Sequence, residues 1–341
     1  KMPKHGGGNP NDKPNNFNLA VKKLMHYLNK YKFRIIFALI FSAFSSVLAI
    51  ISPKRLEKLI NTIIAGIITG IDMDKVKEIM FALIIIYVLS AIFDYLEKYL
   101  MVDATNKFAK ELRENISHKI NKLPLKYFDT HTNGDILSRV TNDIDTVSQN
   151  LNNSLSTFVS AITLLVGCLI MMFKTNWIMA LTSIFSSLIG LVLMMIILSK
   201  AQKYFVMRQE ELGKLNGHIE EIYSSQTLVK AYNGEKNAWD KFAKLNESVY
   251  TCNLKSEFLG GMMPSIMGFI GNFGYVAVCV VGALLTMKGT ISFGVIVAFM
   301  MYIRLFTGPL TQIAQGMTNL QTTAAASERV FEFLEEPEMD E

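Results

Sequence analysis

Asp94, Glu97, Lys98 and Asp103 punctuate a run that is otherwise apolar enough to enter a bilayer, and a charge at that depth is costly unless it faces water, a partner or a ligand. Two readings fit their spacing. An acid facing an inward-opening cavity would draw in cationic, lipophilic molecules. Alternatively Asp94 and Lys98, four residues apart, neutralise each other along one helix while the others sit at headgroup level. Arg304, the only basic residue of the last apolar run, precedes Pro309 by a few positions; it can reach an anionic headgroup or pair with an acid of the second run. Met263, Met267, Met300, Phe299 and Phe306, with Met262, Met301, Met317, Phe269 and Phe273, offer a soft wall for diverse apolar ligands, or simply face lipid. All of this is binding chemistry. Cys168, Cys252 and Cys279 are widely spaced in or beside apolar runs, and the five histidines show no ligand spacing, so neither a disulfide framework nor a metal site is indicated. The phosphate-wrapping pattern G-x-x-x-x-G-K-[ST] does not occur, so these residues alone hydrolyse no nucleotide.

A second kind of chemistry, protein contact, is written into Tyr127 to Asp145, YFDTHTNGDILSRVTNDID. Lys119, Lys122, Lys126 and Arg139 surround it, which places it in water. Pro124 lacks the N–H a continuing helix needs, and Asn133-Gly134 suits a chain reversal at positive φ. Asp129 is placed to cap a short helix over about 130–133, and Asp135 to cap a long one starting at Ile136. From there Ile136, Val140, Ile144, Val147, Leu151 and Leu155 recur at spacings of four or three, a helix packed lengthwise on others. SSQTLVKAYNGE, residues 224–235, forms a comparable second tip.

The elements that must hold these tips are long helices. Half the 341 residues are hydrophobic and only 18% are charged, which points to a membrane protein. Long apolar runs mark six spans, at about 35–52, 79–101, 146–173, 175–199, 258–287 and 291–315; the second carries Asp94, Glu97 and Lys98, the sixth Arg304, and the other four no charge. Spans two and four overshoot the bilayer, Phe108, Leu112, Ile116, Ile120 and Leu123 continuing one apolar stripe and Leu212, Leu215, Ile219 and Ile222 the other. The cytoplasmic hairpins are residues 102–145 and 200–257. Gly260-Gly261 and Pro264 mark a kinked or unwound point in span five. Residues 17–31 read as an amphipathic helix in the bilayer interface, with Phe17, Val21, Leu24, Met25 and Leu28 on one face. Residues 1–16, rich in Gly, Pro and Asn, read as a disordered leader, and the acidic run from Glu328 to Glu341 as a solvated linker. Of 34 Lys and Arg, 26 fall on the side of the hairpins and both termini, which makes that side cytoplasmic. The net charge of +5 follows this topology, so a nucleic-acid partner is not called for.

PLKYFDTHTNGDILSRVTNDIDTV, SSQTLVKAYNGE and ASERVFEFLEEP, set in this layout, resemble the transmembrane domain of the ABC exporters, the type IV or B-family multidrug fold, over residues 17–341. The resemblance implies an all-α membrane domain over 17–327, with an elbow helix at its start and a linker from 328. It implies that Phe128, Asp129, Thr132, Gly134 and Asp135 belong to a first coupling helix, and Thr227, Leu228, Val229, Lys230 and Tyr232 to a second. Both would dock on nucleotide-binding domains that carry ATP and Mg and that lie beyond Glu341 or on a separate chain. It implies pairing with a second half-transporter, contact with membrane lipids, a small-molecule substrate of multidrug or lipophilic type, and a multi-pass place in the cell membrane. The leader and YIRLFTGPL resemble one partner of the bacterial heterodimeric exporters, a homodimer being the alternative.

Two other functions meet the same sequence. A secondary transporter driven by an ion gradient needs buried ionisable residues in several spans, whereas spans one, three, four and five carry no charge. A membrane scaffold that uses the tips only to bind a partner needs no cavity at all.

Overall fold

The computed structural model describes residues 17–130 and 133–339, and within them every regular element is helical. In order these are α1 (Phe17–Leu28), α2 (Lys32–Thr69), α3 (Met73–Ile120), α4 (Leu125–Thr130), α5 (Asn133–Ser138), α6 (Ile144–Thr175), α7 (Trp177–Ser224), α8 (Gln226–Ala231), α9 (Glu235–Met287) and α10 (Phe293–Glu335). A 3-10 turn, Asn29–Tyr31, joins α1 to α2, and a π-helical turn, Arg139–Asp143, joins α5 to α6. Six of the described helical stretches are long and apolar enough to cross a membrane, so the protein is a multi-pass membrane protein. The leader, residues 1–16, lies outside the described residues, as do His131 and Thr132.

The chain forms two compact bodies, one of residues up to 177 and from 285 onward, the other of residues 178–284. In the first, α2 packs along α3 and α10 along α6, with α6 and α10 also against α2. Its core is the pair of expected stripes. Phe108, Leu112, Ile116 and Leu123 meet Ile136, Ile144, Val147 and Leu151, with Val330, Phe331 and Phe333 joining from α10. The second body is α7, the short α8 and α9; Gly190 lies against the side chain of Ile270, and His218 Nε2 meets the Ala238 carbonyl at 3.0 Å.

Several helix boundaries differ from the sequence reading, each for a physical reason. α2 runs on through Pro53 to Thr69. Proline cannot donate to the carbonyl of Ala49, but Ser52 Oγ donates to that oxygen at 3.0 Å, so the freed acceptor is satisfied inside the apolar span. α9 likewise continues unbroken through Gly260, Gly261 and Pro264, so no unwound point occurs there. The link between α6 and α7 shrinks to Asn176, while that between α9 and α10 spans 288–292, with Gly289 at φ +72.

The two ends of the described chain differ most. Residues 328–335 are the last turns of α10, and Val330, Phe331 and Phe333 are buried instead of lining a solvated linker. Ala326, Val330 and Phe333 return to one face at helical spacing, while Glu332 and Glu335 point elsewhere. α1 packs on α10: Ala20, Leu24 and Leu28 are buried at spacings of four, Tyr27 stacks on Phe331 at 4.9 Å, and Lys23 pairs with Glu335 at 2.6 Å. Phe17, Leu19 and Met25 stay exposed, so only that edge of α1 remains for a bilayer interface.

Candidate functional site

The first tip is assembled from both ends of the first body. α3 stops at Ile120, and the Pro124 carbonyl accepts from Tyr127 N at 2.9 Å to open α4. The short helix is therefore Leu125–Thr130, earlier than expected, and Asp129 lies inside it rather than capping it. Asn133 and Gly134 do not reverse the chain at positive φ; they open α5, which begins ahead of Asp135. Asp135 is thus the third residue of a helix, not its cap, and its side chain lies outside the described residues, as does Thr132. Tyr127 is buried edge-on against Phe333, with centroids 5.8 Å apart, and half-buried Phe128 sits edge-on to Tyr127. Asp129 and Gly134 are exposed.

Charges fasten this tip to the end of α10. Arg329 donates to Asp143 through Nη2 at 2.6 Å and Nε at 3.0 Å, a two-pronged match of guanidinium to carboxylate. Asp143 is 6% exposed and closes the π-helical turn. Beyond α10, Glu338 pairs with Lys119 at 3.0 Å and Lys122 at 3.5 Å, and Met339 N donates to the Lys122 carbonyl at 2.9 Å. The Lys119 hydrogen bond holds the Glu338 carboxyl below its ordinary range. Beside exposed Lys126 and Asp129, the tip leaves two large apolar side chains outward, Leu125 78% and Leu137 62% exposed. Neither was picked out from sequence, though both lie off the packing stripe, and that was the available signal.

The second tip, α8, ends where Asn233 takes φ 52 and Gly234 N donates to the Val229 carbonyl at 2.8 Å, a left-handed helix stop. Leu228 and Tyr232 are exposed, with Thr227 and Lys230 beside them, while Val229 turns into a 340 Å³ groove shared with Ile222, Gln226 and Trp239. Tyr223 and Trp239, also exposed, extend the aromatic surface beyond the residues expected.

Of the acids in span two, each has a different setting. Asp94 pairs with Lys98 at 2.6 Å, the local arrangement, and Asp103 pairs with Lys107 at 2.8 Å and Arg34 at 3.3 Å. Glu97 is 5% exposed and borders a 470 Å³ polar pocket with Ser42, Ser46, Asn152, Ser156 and Gln312, whose rim the exposed Asp94–Lys98 pair also lines. The pocket lies between helices of the first body. Of the aromatic residues expected to form a wall, Phe299 is fully buried and edge-on to Tyr302 and Phe306 is buried, whereas Phe269 and Phe273 on α9 stay exposed and stack on each other. Phe299 and Phe306 are packing residues. Met300 is half-buried, Arg304 is exposed and borders none of this pocket, Met263 is half-buried on α9, and the side chain of Met267 lies outside the described residues.

Residues 35–310 match the family model of the ABC transporter transmembrane region. The fatty acid ABC transporter ATP-binding/permease protein of Mycobacterium tuberculosis is 36% identical over 269 residues, 79% of this chain and 43% of that protein. The uncharacterized ABC transporter ATP-binding protein YfiC of Bacillus subtilis is 28% identical over 319 residues, 94% of this chain and 52% of that protein. A multidrug resistance ABC transporter ATP-binding and permease protein of Lactococcus lactis is 28% identical over 284 residues, 83% and 47% respectively. The chain thus spans about half the length of the curated relatives it matches.

Proposed function

Because this chain belongs to the family of ABC transporter transmembrane regions, we propose that it is the substrate-translocating half of an ATP-driven exporter. The observation that carries this reading is the union of each tip with a helix that enters the membrane. α3 and α7 are each 48 residues long, about 70 Å at about 1.5 Å per residue, against a hydrocarbon core of about 30 Å. Each ends in a six-residue helix, α4 or α8, that presents exposed apolar side chains to a partner. A displacement at Phe128 or Leu228 passes through a short link, 121–124 or Ser225, into a continuous helix that enters the spans, the two-state element that coupling needs.

In this reading nucleotide-binding domains holding ATP and Mg grip Phe128, Asp129, Thr132, Gly134 and Asp135 at one tip and Thr227, Leu228, Val229, Lys230 and Tyr232 at the other. A second, different half-transporter completes the pathway in a bacterial cytoplasmic membrane, with both termini in the cytoplasm. Glu97 marks the place where a cationic, lipophilic substrate exchanges its water for the polar pocket. The test is uptake into vesicles by the full-length protein with its partner, with and without ATP. We expect ATP-dependent uptake that Leu228→Asp abolishes while the complex still assembles. Uptake driven by an ion gradient without ATP, or intact coupling in Leu228→Asp, would overturn the reading.

A further inference from the structure

At the end of the first body opposite its tip, α2 and the start of α3, with Met171 of α6, border an open cleft of about 780 Å³ whose cationic side chains are exposed. Four cations border it, Lys54, Arg55, Lys58 and Lys75. The two acids at its edge are already engaged: Glu57 holds Lys54 at 2.8 Å, and Asp72 holds Lys75 at 2.8 Å while capping α3 through Lys75 N. Among the described residues no carboxylate comes within ion-pair distance of Arg55 or Lys58. The cavity therefore presents two uncompensated cations.

Its position decides what would compensate them. Lys54 to Lys58 begin two residues past the first span, at the membrane boundary, and Ile51 and Met171 supply an apolar wall on the span side. The floor is built: Asn61 Oδ1 accepts from Gly294 N at 3.0 Å, tying α2 to the start of α10. Only seven Lys and Arg lie on this side of the spans, against the bias that sends basic residues to the other side, and four of those seven border this one cavity. A merely solvated face does not explain that concentration. A basic pocket beside a span with an apolar wall is the arrangement that holds a lipid head.

We propose that this cavity binds the anionic head, phosphate or carboxylate, of an amphiphile in the leaflet remote from the tips. The head sits between Arg55 and Lys58, and the chain runs down past Ile51 and Met171. Arg55 reaches two oxygens of the head at once, as its fork geometry allows, and Lys58 adds a point charge. Occupancy would brace the turn between α2 and α3, and the site stands whether or not the chain exports by ATP.

The experiment uses the full-length protein in non-ionic detergent, titrated with phosphatidylglycerol or phosphatidylcholine, with bound lipid counted by native mass spectrometry. The expected result is retention of phosphatidylglycerol over phosphatidylcholine, weakened about twenty-fold by Arg55→Gln with Lys58→Gln. Binding is unchanged in Lys77→Gln, a cation outside the cavity, and kept by Arg55→Lys with Lys58→Arg, which also controls for folding. Displacement by inorganic phosphate assigns a phosphate head, and displacement by a long-chain carboxylate alone assigns a fatty-acid-like one; either supports the site. Equal retention of the two lipids, wild-type binding by the double glutamine variant, or an equal loss in Lys77→Gln overturns it.

Discussion

Arg329, near the end of α10, grips Asp143 at the root of α6 across 186 residues of sequence, with contacts of 2.6 and 3.0 Å. The pair closes the first tip onto the helix that leaves the bundle. Asp143 sits at a π-helical turn, a local irregularity that a continuous packed helix tolerates only with support from outside. In the proposed exporter, this makes the exit of α10 and the first coupling tip one mechanical unit.

Breaking one side of that pair should destabilise more than removing both. Asp143→Ala removes the two-pronged carboxylate contact from a mostly buried guanidinium and is expected to cost about 3 kcal/mol, toward the low end because the Arg329 side chain keeps 27% exposure. Asp143→Leu combined with Arg329→Met should recover most of the loss. Thermal melting in detergent checks the order, and equal melting of the single and double variants contradicts it.

Glu97 and Asp94 should separate in transport. Asp94 is spent on Lys98, whereas Glu97 alone of the two is buried at the pocket. Glu97→Gln is expected to weaken uptake of a cationic dye by roughly tenfold, about one to two kcal/mol of lost attraction, and to spare a neutral substrate. Asp94→Asn should change either by less than about threefold. Uptake kinetics of both dyes by the full-length protein give the answer.

The docking of α1 should depend on pH at both extremes and be flat between. Glu111 accepts from Lys30 at 2.8 Å and from the Tyr31 hydroxyl at 2.6 Å, and these hold its carboxyl below the ordinary range. Its contribution is therefore present above the ordinary carboxylate value and fades as pH falls through the lowered one. Burial, aided by Glu111, pushes Tyr31 up to about 12, so the phenol keeps donating until pH rises through that value. Tyr31→Phe should remove the alkaline limb and cost about 1 kcal/mol at neutral pH. Hydrogen exchange of α1 across pH is the measurement, and an alkaline limb that survives in Tyr31→Phe would count against the assignment.

Gly294 should tolerate no side chain. A Cβ there would lie 2.5 Å from the Glu57 carbonyl and 2.6 Å from Asn61 Oδ1, both on α2. Gly294→Ala must push the start of α10 off α2 and is expected to cost about 1 to 3 kcal/mol, seen as a lower melting temperature. Gly213→Ala, inside α7 with open space around its Cβ, is the control and should melt at or slightly above the wild-type temperature.

Much of this molecule was legible before its coordinates. The spans, the overshoot of α3 and α7, and the stripes through Phe108 to Leu123 and Ile136 to Leu151 follow from local hydropathy and period, whereas the first short tip helix lies at Leu125–Thr130 instead of about 130–133. The misreadings inside the spans share one cause. Pro53, Gly260-Gly261 and Pro264 are helix breakers by local rule, yet in a bilayer no competing hydrogen-bond partner rewards unwinding, so the helix persists. ERVFEFLEEP looks solvated by charge, but its alternate face finds Tyr127 and Leu28.

By itself the order of residues determined where the chain crosses a membrane, where it turns and which stretches are polar tips, because hydropathy and backbone preference act over a few neighbours. It could not determine that Arg329 meets Asp143, that Glu97 rather than Asp94 is enclosed, or that Arg55 and Lys58 share a cavity. Those depend on how each helix is rotated against others tens to hundreds of residues away. Three positions along a helix turn a side chain by about 300°, and only packing selects which face looks inward.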